Sequence, residues 1–402
     1  LFSTPYPANE LSKNSTVKNS DIINIHWTSG YQSVENIANL LSLNIPVAFT
    51  LHDMNYFTGG CHYSSVCKKY EDNCLGCPQL KNDKYNIPNI VLSEKIKYFS
   101  GKDITVISPS KWLADCAKKS TLFKNFRIET IPNSIETELF KNIDKKDAKN
   151  DLGINKEIIT ILFGTENHKE KRKGFVHLLE AMEYCKKDFI FSEYVKNGRI
   201  LILTFGRASD DLKKLNIPFK SFGYVNDDLT LSKIYSASDF VVLPSEEDNL
   251  PNIALEALSC GTPVISFSIG GMTDILKNGE NGFLSEPFDI EDMGNNILKF
   301  VKDDRLRKKT SDAGRRLIEE KYRAENQVKA YLEIFSDCLK NKKNGKSYDF
   351  ITKKVLYRST GDNPRIAPVI QQNFKDIAPW VQAEIRQVET QALYDALKTK
   401  NY

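Results

Sequence analysis

Short β-branched runs alternate with longer amphipathic stretches twice along this chain. That alternation is the pattern of a parallel sheet flanked by helices. In the first tract, residues 21–26 read as a buried strand, and a helix follows from about Ser33 with Val34, Ile37, Leu40 and Leu41 on one face. Residues 46–52 and 104–107 are the next strands, a helix opens near Lys111, and residues 127–133 close the tract. The second tract has strand candidates at 158–164, 200–205, 240–244 and 263–267. Helical patterns lie between and after them at 175–185, 230–237, 252–260 and 290–303, and a last helix runs from about Glu325 to Lys340. Open parallel sheets bind ligands at the carboxyl ends of their strands, so two such units predict a ligand in the cleft between them.

Residues 141–156 are rich in Lys, Asp and Asn and read as the connection between the units. The expected division is therefore 1–145, 146–340, and a remainder at 341–402. That remainder is a basic linker, Lys340 to Lys346, followed by an amphipathic helical tail with Pro379 at its start and Ile377, Trp380, Val381 and Ile385 on its apolar face. Such a tail packs on the body, binds a partner or opens a further domain. The chain starts at Leu1, and the turn-like stretch ahead of residue 21 holds no strand, so the first unit is expected to be incomplete at its start.

Composition narrows the function classes. Hydrophobic residues at 41% and charged residues at 27% exclude a mostly disordered or collagen-like chain. A net charge of +4 over 402 residues is too small for a nucleic-acid-binding footprint. No apolar run approaches the ~18 residues that span a bilayer, and nothing at the start reads as a signal peptide. The expectation is a cytoplasmic protein, with peripheral contact at the inner face of the membrane through Lys118, Lys119, Lys124 and Arg127 as a sharper option.

Four of the eight cysteines, Cys61, Cys67, Cys74 and Cys77, fall within seventeen residues. A Cys-x2-Cys pair supplies two thiolates from one tight turn, and four thiolates suit a tetrahedral structural zinc. In a reducing compartment zinc is favoured over two disulfides, with His62 as a stand-in ligand. The first two cysteines lack the two-residue spacing, so free or redox-active thiols remain the equal alternative.

The stretch that carries most chemistry is Pro244-Ser245-Glu246-Glu247-Asp248-Asn249-Leu250-Pro251-Asn252, continuing through Glu256. A strand ends, an acidic loop follows, and Pro251 suits the first position of a helix. Asp248 and Glu256 stand eight residues apart, one in the loop and one in the second helical turn. Acidic residues there stabilise the helix through its dipole, and the same free N–H groups suit a phosphate or a sugar edge.

This stretch resembles the Glu-x7-Glu segment of the retaining glycosyltransferases of family 4. The resemblance extends through Lys173-Gly174-Phe175, Ser236-Ala237-Ser238-Asp239, Gly261-Thr262-Pro263-Val264, Gly270-Gly271 and Asn281-Gly282-Phe283-Leu284, and upstream through Ile131-Pro132-Asn133-Ser134. The Asp-Asn-Leu-Pro-Asn form and Thr50-Leu51-His52-Asp53 look like the branch that builds bacterial surface polysaccharides. The resemblance implies an α/β GT-B architecture, two Rossmann-like doubly wound domains facing a cleft, with a nucleotide-sugar donor and a saccharide or lipid-linked acceptor as partners. It implies Glu256 on the donor ribose, Asp248 on the donor sugar and Lys173 on the diphosphate, with His52 orienting the reacting groups. Asn249, Leu250, Pro251, Arg172 and Gly164 complete the expected donor site, and no metal is required at the diphosphate. Two departures stand out. Asp248 occupies a place that is usually Glu, with Glu247 beside it, and Gly164-Thr165 replaces the usual Gly-Arg, which leaves Arg172 as the substitute cation. A non-catalytic sugar- or nucleotide-binding module is the alternative.

Overall fold

In the structure, a computed structural model that describes residues 2–3, 10–80, 83–167, 170–207 and 210–343, the strands at 47–50, 104–108, 240–243 and 264–267 are short β-branched or aromatic runs, buried throughout. The chain falls into two units: residues up to Ile131 together with the chain from Tyr331, and Pro132–Ala330.

Among the described residues the first unit runs from a 3₁₀ turn (Leu11–Lys13) and a single helical turn, α1 (Ser15–Lys18), through β1 (Ile23–Ile25), α2 (Val34–Leu41), β2 (Val47–Thr50), α3 (Ile87–Phe99), β3 (Ile104–Ser108), α4 (Lys111–Lys119) and β4 (Arg127–Thr130). Its four strands pair in parallel in the order β1-β2-β3-β4. Ser33 and Ser110 cap α2 and α4, their hydroxyls accepting the N–H of Asn36 and Leu113. The core under this sheet gathers Phe49, Phe99, Val106, Leu113 and Phe123, all fully buried.

The second unit contains α5 (Lys145–Asp151), β5 (Ile159–Asn167), α6 (Phe175–Cys185), α7 (Phe189–Lys196), β6 (Ile200–Arg207), β7 (Phe219–Ser221), α8 (Asp228–Ala237) and β8 (Phe240–Leu243). It continues with α9 (Asn252–Ser259), β9 (Val264–Phe267), α10 (Met272–Ile275), β10 (Gly282–Ser285), α11 (Ile290–Lys302), α12 (Asp304–Lys321) and the start of α13 (Ala324–Lys343). Its six strands, all parallel, lie in the order β10-β9-β8-β5-β6-β7. The chain winds outward from β5 in one direction through β6 and β7, and in the other through β8, β9 and β10. The order reverses between β5 and β8, so the carboxyl ends of those two strands form the crevice that doubly wound sheets use for ligands.

The division at Ile131 corrects the expected boundary at 145, and the stretch 141–156 is not a linker. Ile135 donates its N–H to the Tyr322 carbonyl at 2.8 Å, and Ile135 and Phe140 join the second core. Asp144 caps α5, accepting the N–H groups of Lys146 and Asp147. Lys149 then turns inward to a 2.8 Å ion pair with buried Asp239. Charge made this stretch look solvated, whereas one of its lysines neutralises a buried carboxylate. From Tyr331, α13 belongs to the first unit. The expected tail around Pro379 and Trp380 lies outside the described residues.

Candidate functional site

Lys173 and Asp248 are far apart in sequence, and two glycines let them meet. After β5 the chain forms a 3₁₀ turn over Lys171–Lys173 and reaches Gly174 at φ +70°, just before α6. A Cβ on Gly174 would stand 1.7 Å from the Pro244 carbonyl oxygen, so only glycine lets the loop after β5 lie on the loop after β8. The Glu246 N–H donates to the Arg172 carbonyl at 2.7 Å and stitches the two loops together. The loop after β9 closes from the other side. Gly270, at φ +52°, packs where a Cβ would come within 1.9 Å of the Asp248 carbonyl oxygen, and the Gly271 N–H donates to that oxygen at 3.0 Å.

Asp248 is thereby held at the meeting point of three loops, at 5% exposure. Lys173 Nζ donates to its Oδ2 at 2.7 Å, and the Arg172 guanidinium lies 3.3 Å from its Oδ1. Arg172 also donates to the Glu247 carbonyl at 2.8 Å and pairs with Glu170 at 2.7 Å. Arg172 thus stands beside Lys173, at the crevice between β5 and β8. The Asn249 N–H bonds to Asp248 Oδ1 at 3.1 Å, and Leu250 is a core residue. Pro251 takes the cap position with α9 beginning at Asn252, one residue later than expected. Gly164 lies inside β5, where the Phe205 ring fills the space a side chain would need.

Glu256 sits in the second turn of α9, half-buried, and its Oε2 accepts the Tyr235 hydroxyl at 2.7 Å. Burial raises its carboxyl above the ordinary value, the Tyr235 hydrogen bond works in the opposite direction, and the charge of Asp228 adds to the rise. His177, given no role by its sequence context, lies on α6 with Nε2 at 3.3 Å from Glu246 Oε1, against the rings of Phe267 and Phe288. Its place one turn into the helix after Lys173-Gly174 is the only sequence signal that pointed to it.

In the first unit His52 follows β2, and its Nε2 lies 3.0 Å from His26 Nδ1, whose own Nε2 is 3.0 Å from the Asn24 amide. Desolvation lowers both imidazoles; His26 is lowered further by the neighbouring charge of His52, and the charge of Asp53 works against the lowering at His52. Beside it, Asp53 receives three donors: the Asn55 N–H at 2.8 Å, Trp27 Nε1–H at 3.1 Å and His62 Nδ1 at 2.6 Å. His62 is fully buried and its Nε2 contacts Ser3 Oγ at 2.7 Å, so both ring nitrogens are engaged. This removes His62 as a stand-in metal ligand. The four cysteines of the cluster, by contrast, line one cavity.

The parallel sheets, the winding order of the second and the ligand crevice at its switch point define two Rossmann-like α/β units of GT-B type. A crystal structure of HepE from Anabaena in complex with UDP superposes with a TM-score of 0.59 at 15% identity, covering 80% of each chain. Residues 144–317, within the second unit, match the family model for Glycosyl transferases group 1. N-acetyl-alpha-D-glucosaminyl L-malate synthase of Bacillus anthracis is 25% identical over 231 residues, 55% of this chain and 57% of that protein. UDP-Gal:alpha-D-GlcNAc-diphosphoundecaprenol alpha-1,3-galactosyltransferase of Escherichia coli is 28% identical over 225 residues, 54% of this chain and 56% of that one. The matches thus span little more than half of these relatives' length. No helix among the described residues is long and apolar enough to cross a membrane.

Proposed function

We propose that this protein is a cytoplasmic glycosyltransferase of family 4. It moves a sugar, with retention at the anomeric carbon, from a nucleotide-sugar donor to a saccharide or lipid-linked acceptor in bacterial surface-polysaccharide or glycoconjugate synthesis. The observation that carries this reading is the Lys173–Asp248–Arg172 knot at the crevice between β5 and β8. Two cations there suit the developing charge of a departing nucleoside diphosphate, which the reading neutralises without a metal. Asp248 holds both cations in the absence of a donor. A bound diphosphate takes over the cations and frees the Asp248 carboxylate for the hydroxyls of the donor sugar. Glu256 accepts from the ribose hydroxyls with Oε1, since Tyr235 occupies Oε2. His52 holds a hydroxyl of the reacting sugar or acceptor, and the departing phosphate takes the acceptor proton.

The activities of the relatives support the substrate classes, a UDP-sugar and a diphosphoundecaprenol-linked sugar in one case. A screen of radiolabelled UDP-, GDP- and ADP-sugars for slow donor hydrolysis tests the reading. One nucleotide sugar should be consumed, and Lys173→Ala should abolish the signal. Tight nucleotide binding with no hydrolysis or transfer to any acceptor would favour the non-catalytic binding module instead.

A further inference from the structure

The loop between β2 and α3 has little secondary structure, two 3₁₀ turns apart, yet it is closely held. Its four cysteines line one cavity of about 10 Å³ together with Tyr70, Pro78 and Pro88, room for a single water-sized particle. None of the four is in a disulfide.

The backbone around the cavity is arranged for sulfur. Cys74 stands at φ +56° and Gly76 at φ +62°, which folds Cys74-Leu75-Gly76-Cys77 into a tight turn. A left-handed conformation is costly for a residue with a Cβ, on the order of 1–2 kcal/mol, and persists where the surroundings impose it. Lys69 Nζ reaches over the turn to the carbonyls of Leu75 and Gly76 at 2.9 and 2.5 Å. Backbone N–H groups of Gln79 and Leu80 face the Cys77 sulfur, that of Gly59 faces Cys74, and the Thr58 hydroxyl faces Cys61. Burial raises these thiols, Cys61 to about 12 and Cys74 to about 11, and the donors aimed at sulfur work in the opposite direction.

A second observation concerns a buried lysine beside the cluster. Lys95, on α3, is 4% exposed, and its ammonium donates to the carbonyls of Asn55 and Thr58 at 2.5 and 3.0 Å. A buried ammonium calls for a negative counter-charge. Cys61 and Cys74 are among the groups close enough to act on it electrostatically, together with Asp53. Asp53 supplies one such charge, and a divalent cation held by four thiolates would add a net charge of −2 on the side of Cys61 and Cys74.

We propose that Cys61, Cys67, Cys74 and Cys77 bind one Zn²⁺ as thiolates, a structural ion that closes the loop between β2 and α3. Four S–H protons leave to solvent and four Zn–S bonds form, with no change of oxidation state. Among the described residues no three such side chains are yet drawn to within reach of one ion. Ligation therefore takes a turning of cysteine side chains toward the cavity they already line. The ion also bears on the histidine neighbourhood, because Cys61 precedes His62, which holds Asp53 beside His52.

The test is elemental analysis of the full-length chain, purified with reductant and without chelator, followed by Co²⁺ exchange. About one zinc per chain is expected, and the cobalt form should show the sulfur-to-metal charge transfer and intense visible bands of a tetrahedral thiolate site. Cys67→Ser, which removes a half-exposed ligand, should lose most of the metal, and Cys116→Ser on α4 should keep it. Zinc-free protein whose four thiols react freely in the native state would overturn the proposal. So would two disulfides found by mass spectrometry after reductant is omitted and restored, or full zinc content in Cys67→Ser. The wild-type metal content decides the matter even if a variant fails to fold.

Discussion

Removing the Glu256 carboxylate separates its proposed role in donor binding from a role in packing. Tyr235 occupies Oε2 at 2.7 Å, so one oxygen is left for the ribose. A hydrogen bond to a charged group contributes about 1.5–3 kcal/mol, so Glu256→Ala should weaken nucleotide binding by roughly 10- to 150-fold. The same truncation strands the Tyr235 hydroxyl, which is fully buried, at a stability cost of about 1–3 kcal/mol. The double variant Tyr235→Phe/Glu256→Ala removes the stranded hydroxyl. It should regain stability relative to Glu256→Ala while leaving affinity equally low. The pH dependence supplies a second axis. Burial raises the Glu256 carboxyl, and the ribose is bound by its ionised form. Affinity should therefore fall as pH drops through that raised value, before ordinary carboxylates protonate. Stability runs the other way: the folded state holds this proton more tightly than the unfolded chain does, so the contribution of Glu256 is full below the unfolded pKa and is lost as pH rises through the folded one. Calorimetric titration with UDP, GDP and ADP across mildly acidic pH measures the affinity, and thermal melting measures the stability. Unchanged affinity in folded Glu256→Ala, or affinity flat with pH, would refute the assignment.

Asp248→Asn should lower turnover more than nucleotide affinity, because the proposed contact is to the sugar; a steady-state and calorimetric comparison showing the reverse order would move Asp248 to the nucleotide. Asp239→Asn should cost about 3–5 kcal/mol, because Lys149, with its side chain 3% exposed, is left buried without its counter-charge. Burial would raise the Asp239 carboxyl, but Lys145 and Lys149 hold it below the usual value. Its stabilising contribution is thus present above the unfolded pKa and lost as pH falls through the lowered one, so acid denaturation should begin at higher pH in the variant, as circular dichroism can follow. Lys118, Lys119 and Lys124 are exposed at and after the end of α4, whereas Arg127 is taken up by Glu129 and Asp337. Anionic vesicles should bind the protein at low salt and release it as salt rises, with no sedimentation on neutral vesicles; equal behaviour with both lipids would leave no electrostatic membrane contact.

What the chain discloses without its structure follows from where each apolar side chain goes. Strands such as Val47–Thr50 and Phe240–Leu243 are covered on both faces, so they are continuous apolar runs and readable as such. Phe219–Ser221 and Gly282–Ser285 lie at the sheet's two edges, are three and four residues long, and leave no such run. Helix α12 hides for another reason. It buries only Thr310, Gly314 and Ile318, a stripe one residue wide at a spacing of four, while most of its other residues are charged. The site divides the same way. Asp248, Glu256 and Lys173 can be singled out in the sequence because each lies in a contiguous motif. The Asp53–His62–Ser3 contact was not, because its partners lie nine and fifty-nine residues apart and no spacing rule links a strand end, a loop and the chain start. The glycines of those motifs are explained only by the fold. Gly174 and Gly270 bring three loops within a Cβ radius of one another, and that approach sets Asp248 between Lys173 and Arg172.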